Sequence, residues 1–224
     1  MTLPAWVPDD ELKPAPEPLL LVQSFVNTRD LGKQTDLLAD ADAGTASQWL
    51  RQAGLLGPEI TAGADELRCA REFREGIRAL LARNGGGAAP TASDLRPLDA
   101  VIRASAPRLT VDAGGRIQLD SGARGRVADG LLSLLLIIRD AQRDGTWPRL
   151  KICGNSDCLW AFYDRSHSRR GAWCDMATCG NLIKNRNLRA RRGSRPTGGR
   201  PAASRTAGGR TAARRARTGR AAPA

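Results

Sequence analysis

Four of the five cysteines in this 224-residue chain fall in one window. They stand as Cys153-Gly-Asn-Ser-Asp-Cys158 and, fifteen residues later, Cys174-Asp-Met-Ala-Thr-Cys179. Two short loops that each supply a pair of thiols suit zinc, which takes four thiolate or imidazole ligands in a tetrahedron. The C-x4-C spacing is at the wide end for such loops and is not the C-x-x-C of a redox pair. Four reduced buried thiols, two disulfides or a redox couple are the competing uses. A reducing compartment disfavours disulfides, and the balance favours one zinc ion per chain. A four-cysteine site leaves no position for water or substrate, so its chemistry is structural rather than catalytic. His167, the sole histidine, sits among Ser166, Ser168, Arg169 and Arg170 and reads as part of a basic loop. Cys69 falls on a predicted amphipathic helix and reads as a small buried hydrophobe.

The residues between and after the pairs must position those thiols. Gly154 and Asn155 tolerate positive φ and so allow a tight knuckle after Cys153. Trp160, Phe162, Tyr163 and Trp173 give a module of about forty residues a small core. The expected order is knuckle, short hairpin around Trp160–Tyr163, second cysteine pair, then a helix beginning near Cys179, which is treble-clef-like. On that helix, NLIKNRNLRARR, one broad side carries Lys184, Asn185, Arg189, Arg191 and Arg192 with Leu188 among them. Leu182, Ile183 and Ala190 lie on the other side, together with Arg186.

Charge is divided unevenly. Residues 151–224 hold 17 Lys and Arg against 3 Asp and Glu, whereas residues 1–150 hold 18 against 20. Such asymmetry points to a polyanion at the C-terminal side. From 193 to 224 only Gly, Ala, Arg, Pro, Ser and Thr occur, so no core can form and a disordered basic tail is expected. The tail's eight arginines suit a nucleic-acid backbone without sequence preference.

The first eighteen residues are proline-rich and read as an irregular arm, with none of the charge and apolar pattern of a secretory signal. Residues 19–145 read as a mainly helical domain with a small β-hairpin. Leu19–Val26 is a buried strand or helix, since eight apolar residues do not distinguish the two. Thr45 or Ser47 caps a short helix through Leu50. Ala64–Arg83 is the best amphipathic helix, with Leu67, Ala70, Phe73, Ile77, Leu80 and Leu81 on one stripe and Arg and Glu opposite. A further helix covers Leu95–Ala104. Leu109–Val111 and Ile117–Leu119 flank Asp112-Ala-Gly-Gly as a hairpin. Val127–Arg139 is apolar nearly all round and reads as a central buried helix. Gly145 to Pro148 marks a boundary, and 146–192 is the finger. The overall class is α+β. No phosphate loop, nucleophile elbow or useful acid pair appears, so the chain does not read as an enzyme. Asn27, Thr28, Arg29 and Trp49 are candidates for a ligand pocket, or for capping and packing alone; a small-molecule or protein effector would act there. No apolar run approaches the ~20 residues of a membrane span, and a cytoplasmic, nucleoid-associated protein is expected.

The pattern Trp160-x-Phe162-Tyr163-Asp164-x-Ser166, then Arg169-Arg170-x-x-Trp173-Cys174-x-Met176-x-x-Cys179-Gly180-Asn181, resembles the CGNR zinc finger family. Phe25-Val-Asn27-Thr28, Asp36-Leu-Leu, Trp49-Leu and the Arg71–Arg74 pattern are similar to the ABATE domain that accompanies this finger. The resemblance implies a stress-induced transcription regulator that binds DNA, with Cys153, Cys158, Cys174 and Cys179 as zinc ligands. Arg169, Arg170, Lys184, Arg186, Arg189, Arg191 and Arg192 are the candidate nucleic-acid contacts. RNA binding and a protein-interaction scaffold are the rival readings. One departure stands out: the Arg that ends the family motif is Leu182 here, with Arg186 one turn further along.

Overall fold

The computed structural model describes residues 3–122 and 125–193. Beyond Gly193, the predicted basic tail lies outside the described residues. Six helices and three two-stranded antiparallel sheets are present among those residues. Leu19–Val26 is helical (α1), and Leu19, Leu20, Val22, Phe25 and Val26 are all buried. Burial on almost every side explains why periodicity alone left strand and helix open. β1 (Arg29–Asp30) and β2 (Thr35–Asp36) form a short ribbon.

Helix α2 spans Ala43–Gln52 and is capped by Asp42, whose carboxylate accepts from the Thr45 amide. Neither Thr45 nor Ser47 holds that position. Ser47 lies one turn in, where its hydroxyl bonds the Ala43 carbonyl and accepts from the Ala62 amide. Helix α3, Ala64–Asn84, starts where Glu66 reaches back to the Gly63 amide. Helix α4, Ala92–Ala104, begins earlier than the sequence suggested because Thr91 and Asp94 form a reciprocal cap. β3 (Arg108–Val111) and β4 (Ile117–Asp120) form the expected hairpin, with Leu109 opposite Leu119 and Val111 opposite Ile117. Helix α5 spans Val127–Arg143 and packs on α1, α3 and α4. Gly130 lets α5 pass directly against the backbone of Leu55, where any Cβ would collide.

The polar side of α3 is not the solvated face that its charges suggested. Arg74 and Arg78 are both buried. Arg74 makes a two-pronged ion pair with Asp36, at 2.8 and 2.6 Å, and donates to the Thr28 hydroxyl. Arg78 donates to the carbonyls of Val26 and Leu159, and its Nε bonds Glu75. Periodicity marks an arginine as outward-facing because it cannot show partners contributed by other elements.

After a 3-10 turn, Trp147–Arg149, comes β5 (Leu150–Ile152), which pairs with β6 (Ala161–Tyr163). The first cysteine pair is therefore in the connection between the two strands, not ahead of a hairpin that begins at Trp160. β5 is three residues long, too short to announce itself by alternation. A π-helical turn, Met176–Gly180, leads into α6, Asn181–Gly193. Leu150, Ala161 and Tyr163 belong to the same buried cluster as the helices. No helix among the described residues is long and apolar enough to cross a membrane.

Candidate metal centre

The four cysteine sulfurs converge, all within 4.8 Å of one another. Cys158 Sγ is 3.7 Å from Cys174 Sγ, which is 3.8 Å from Cys179 Sγ. A tetrahedron with Zn–S bonds of about 2.3 Å has S–S edges of about 3.8 Å. Those separations fit a shared ion and are far too long for disulfide bonds of about 2.05 Å. His167 lies on the exposed loop after Asp164, outside the cluster. Cys69 is half-buried on α3, and burial, with Glu72 and Glu66 nearby, pushes its thiol up.

Four thiols this close cannot all ionise without a cation. Cys153, accepting from Cys158 and Cys174, is lowered to about 2. Cys158 is pushed up to about 12 by donating to Cys153, and Cys174 rises because it donates to both Cys153 and Cys158. A divalent ion removes that conflict. The Asn155 amide points at Cys179 Sγ from 3.7 Å, a donor suited to a thiolate ligand.

The knuckle's geometry differs from its predicted origin. Neither Gly154 nor Asn155 adopts positive φ; the left-handed residue is Leu159, at φ 50°. Gly154 serves for space: a Cβ there would lie 3.1 Å from the Trp173 ring and 3.2 Å from the Ala172 carbonyl. Cys153 and Gly154 amides bond the carbonyls of Trp160 and Ala172, which ties the knuckle to both following segments. At the second pair, Asp175 accepts from the amides of Ala177 and Thr178 and so sets the π-helical turn that presents Cys179.

The finger also holds a buried ion pair. Lys151 Nζ is 2.8 Å from Asp164 and donates also to the Arg169 carbonyl. Asp164 further accepts from the Ser166 amide and hydroxyl and the Gly171 amide. Burial alone would raise the Asp164 carboxyl, but Lys151, Ser166 and Gly171 outweigh it and hold it well below the usual carboxylate range. This group closes the loop that carries Arg169, at φ 53°, and Arg170. Reading residue types and spacing alone does not reveal the Lys151 partnership, although Asp164-x-Ser166 is a local turn signal.

Several residues dock the finger on the helices. Asn27 clamps Ala161 by accepting from its amide and donating to its carbonyl, at 2.8 and 2.9 Å. Glu11 accepts from Asn27, Trp160 Nε1 and the Lys13 amide. Lys13 Nζ bonds the Trp173 carbonyl and lies 5.0 Å from the Phe162 ring centre.

Of the four candidate pocket residues, Asn27, Thr28 and Trp49 share one recess under residues 5–9, whereas Arg29 pairs with Glu75 at 3.3 Å. Of the candidate nucleic-acid contacts, Arg169 and Arg170 are exposed on their loop, and Lys184, Arg186, Arg189 and Arg191 are exposed on α6. Arg186 forms an exposed pair with Asp157 of the first knuckle, and Arg192 lies on the last turn. The structure thus gathers the basic residues at two places, loop and helix, both fastened to the thiol cluster.

Comparison with known proteins adds two matches. The CGNR zinc finger family matches residues 149–192. The ABATE family, described as "Putative stress-induced transcription regulator", matches residues 20–142, more than half of the chain. Both are regulator or zinc-finger families rather than enzyme families. No curated protein matches the chain.

Proposed function

The chain belongs to the ABATE family and carries a CGNR zinc finger, and from that premise we propose that it is a zinc-dependent, stress-responsive regulator of transcription that binds duplex DNA. The observation that carries this reading is the placement of α6. Its first turn follows the thiol cluster directly, yet Lys184, Arg186, Arg189 and Arg191 are all exposed along it. A helix that packs on little of its own protein, anchored at one end and basic along its length, has the form of a groove or phosphate reader.

One zinc ion held by Cys153, Cys158, Cys174 and Cys179 would supply structural rigidity and would compensate the thiolate charge. The rest is done by the protein. Asp175 fixes the π-helical turn, and Asn155 supports Cys179. Lys151 and Asp164 hold the basic loop of Arg169 and Arg170. Arginines of the tail add attraction to the backbone without reading bases, because the tail has neither aromatic nor amide side chains. A nucleoid-associated location follows from that reading.

The test is a salt titration of DNA binding by fluorescence anisotropy, using the full chain and a truncation after Arg192. On duplex DNA, log K falls with log salt by roughly 0.9 per phosphate neutralised. Truncation should flatten that slope by several units and leave the ratio between a selected site and random DNA unchanged. Preference for single-stranded RNA over duplex DNA in competition would replace this reading with RNA binding.

A further inference from the structure

We propose that the recess between the N-terminal arm and α1 is a binding site for a small organic amine that carries a hydroxyl at its far end. The recess measures about 310 Å³ and is bounded by the arm on one side and α1 and Trp49 on the other. Ser24 lines it, is 2 % exposed, and bears the one buried side-chain oxygen or nitrogen among the described residues with no hydrogen-bond partner. A serine inside a helix ordinarily settles its hydroxyl on the carbonyl one turn back; Ser24 does not. Its polar neighbours have no such vacancy. Asn27 is committed to Glu11 and Ala161, and the Thr28 hydroxyl donates to the Phe25 carbonyl and accepts from Arg74. A buried hydroxyl without a partner is costly, so Ser24 marks the inner end of the recess as the place for a ligand's polar group.

The outer end has a different chemistry. Asp9 is exposed there and is in no salt bridge among the described residues, whereas Asp10 beside it pairs with Lys33. Trp6 and Trp49 both border the recess, and no Lys or Arg does. One carboxylate and two aromatic rings select a cation over an anion. Trp49 Nε1 is already bonded to the Trp6 carbonyl, so that ring offers surface rather than a donor. An ammonium at the rim by Asp9, an apolar body between the indoles, and a hydroxyl meeting Ser24 satisfy all three. The arm continues from this rim to Glu11 and Lys13, which hold Trp160 and the Trp173 carbonyl. A ligand here therefore bears on the segment that docks the finger.

Tyramine is the probe, with phenethylamine lacking the hydroxyl and 4-hydroxyphenylacetate lacking the positive charge. Binding to the full chain is read from the indole N–H resonances of Trp6 and Trp49, a signal independent of DNA binding. Tyramine should shift both resonances at up to about 10 mM, the range open to a ligand of its size. Ser24→Ala should weaken tyramine about tenfold, the worth of one hydrogen bond, and leave phenethylamine unchanged. Asp9→Asn should weaken both amines. No shift with tyramine, equal binding of 4-hydroxyphenylacetate, or undiminished tyramine binding by Ser24→Ala would each overturn the proposal.

Discussion

Asp164→Ala isolates the buried ion pair that Asp164 makes with Lys151. The substitution strips Lys151, itself buried, of its carboxylate and leaves only the Arg169 and Gly171 carbonyls near its ammonium. It also orphans the Ser166 hydroxyl and the Ser166 and Gly171 amides. Removing one member of a buried pair costs about 3–5 kcal/mol. Folding of a small zinc module is coupled to metal binding, so that loss should appear in zinc affinity. At about 1.4 kcal/mol per tenfold, even the lower figure corresponds to roughly 100-fold weaker zinc. Competition against a chromophoric chelator measures it. Lys151→Met combined with Asp164→Leu removes both charges and should recover part of the affinity, the Ser166 and Gly171 donors staying unpaired, since an apolar pair of similar volume is often tolerated. A change under about tenfold in Asp164→Ala, or a double variant as weak as the single, would refute the idea that the pair's charge balance supports the centre.

Three further outcomes follow from the geometry. Asp36→Asn leaves Arg74 buried with half of its pairing gone, and should cost about 3 kcal/mol in urea denaturation at pH 7. Burial raises the Asp36 carboxyl, but Arg74 and the Leu38 amide outweigh it and hold it below its ordinary value. Its contribution is therefore complete above about pH 4 and is lost as pH falls through the lower folded value, so the gap between wild type and Asp36→Asn should close only in strong acid. Gly130→Ala drives a methyl into the Leu55 carbonyl and should destabilise by more than about 3 kcal/mol, or prevent folding, as seen by circular dichroism. Leu182 is exposed at the start of α6, so Leu182→Arg should tighten DNA binding severalfold in anisotropy with no change in melting temperature; a lowered melting temperature without tighter binding would make it a packing position.

The cysteine spacing made the thiol cluster legible because the ligands of one ion must converge wherever the chain leads, and α3 followed from its period, α5 from its long apolar run and the β3–β4 hairpin from turn chemistry. What stayed hidden depends on partners distant in sequence. Glu11, Lys13, Gln23 and Asn27 look like ordinary polar residues until Ala161, Trp160 and Trp173 arrive beside them. The arm reads as irregular and is irregular, yet Val7 and Ala15 are buried. Arg78 seemed solvent-facing because no local pattern announces that its guanidinium will meet the Leu159 carbonyl at the knuckle's left-handed residue. At Gly154 the fold uses the lack of a side chain beneath Trp173 rather than the conformational freedom that a glycine in a knuckle suggests.

The central claim is that the thiol cluster holds α6 out as the DNA-binding element. Lys184→Glu combined with Arg189→Glu tests it most directly, because both side chains are exposed and away from the sulfurs. Zinc content and melting temperature should match those of the wild type, while affinity for duplex DNA in the tail-truncated protein falls by at least about 100-fold and the salt slope loses roughly two units. Unchanged DNA affinity in a variant with full zinc would contradict the account and move recognition away from α6.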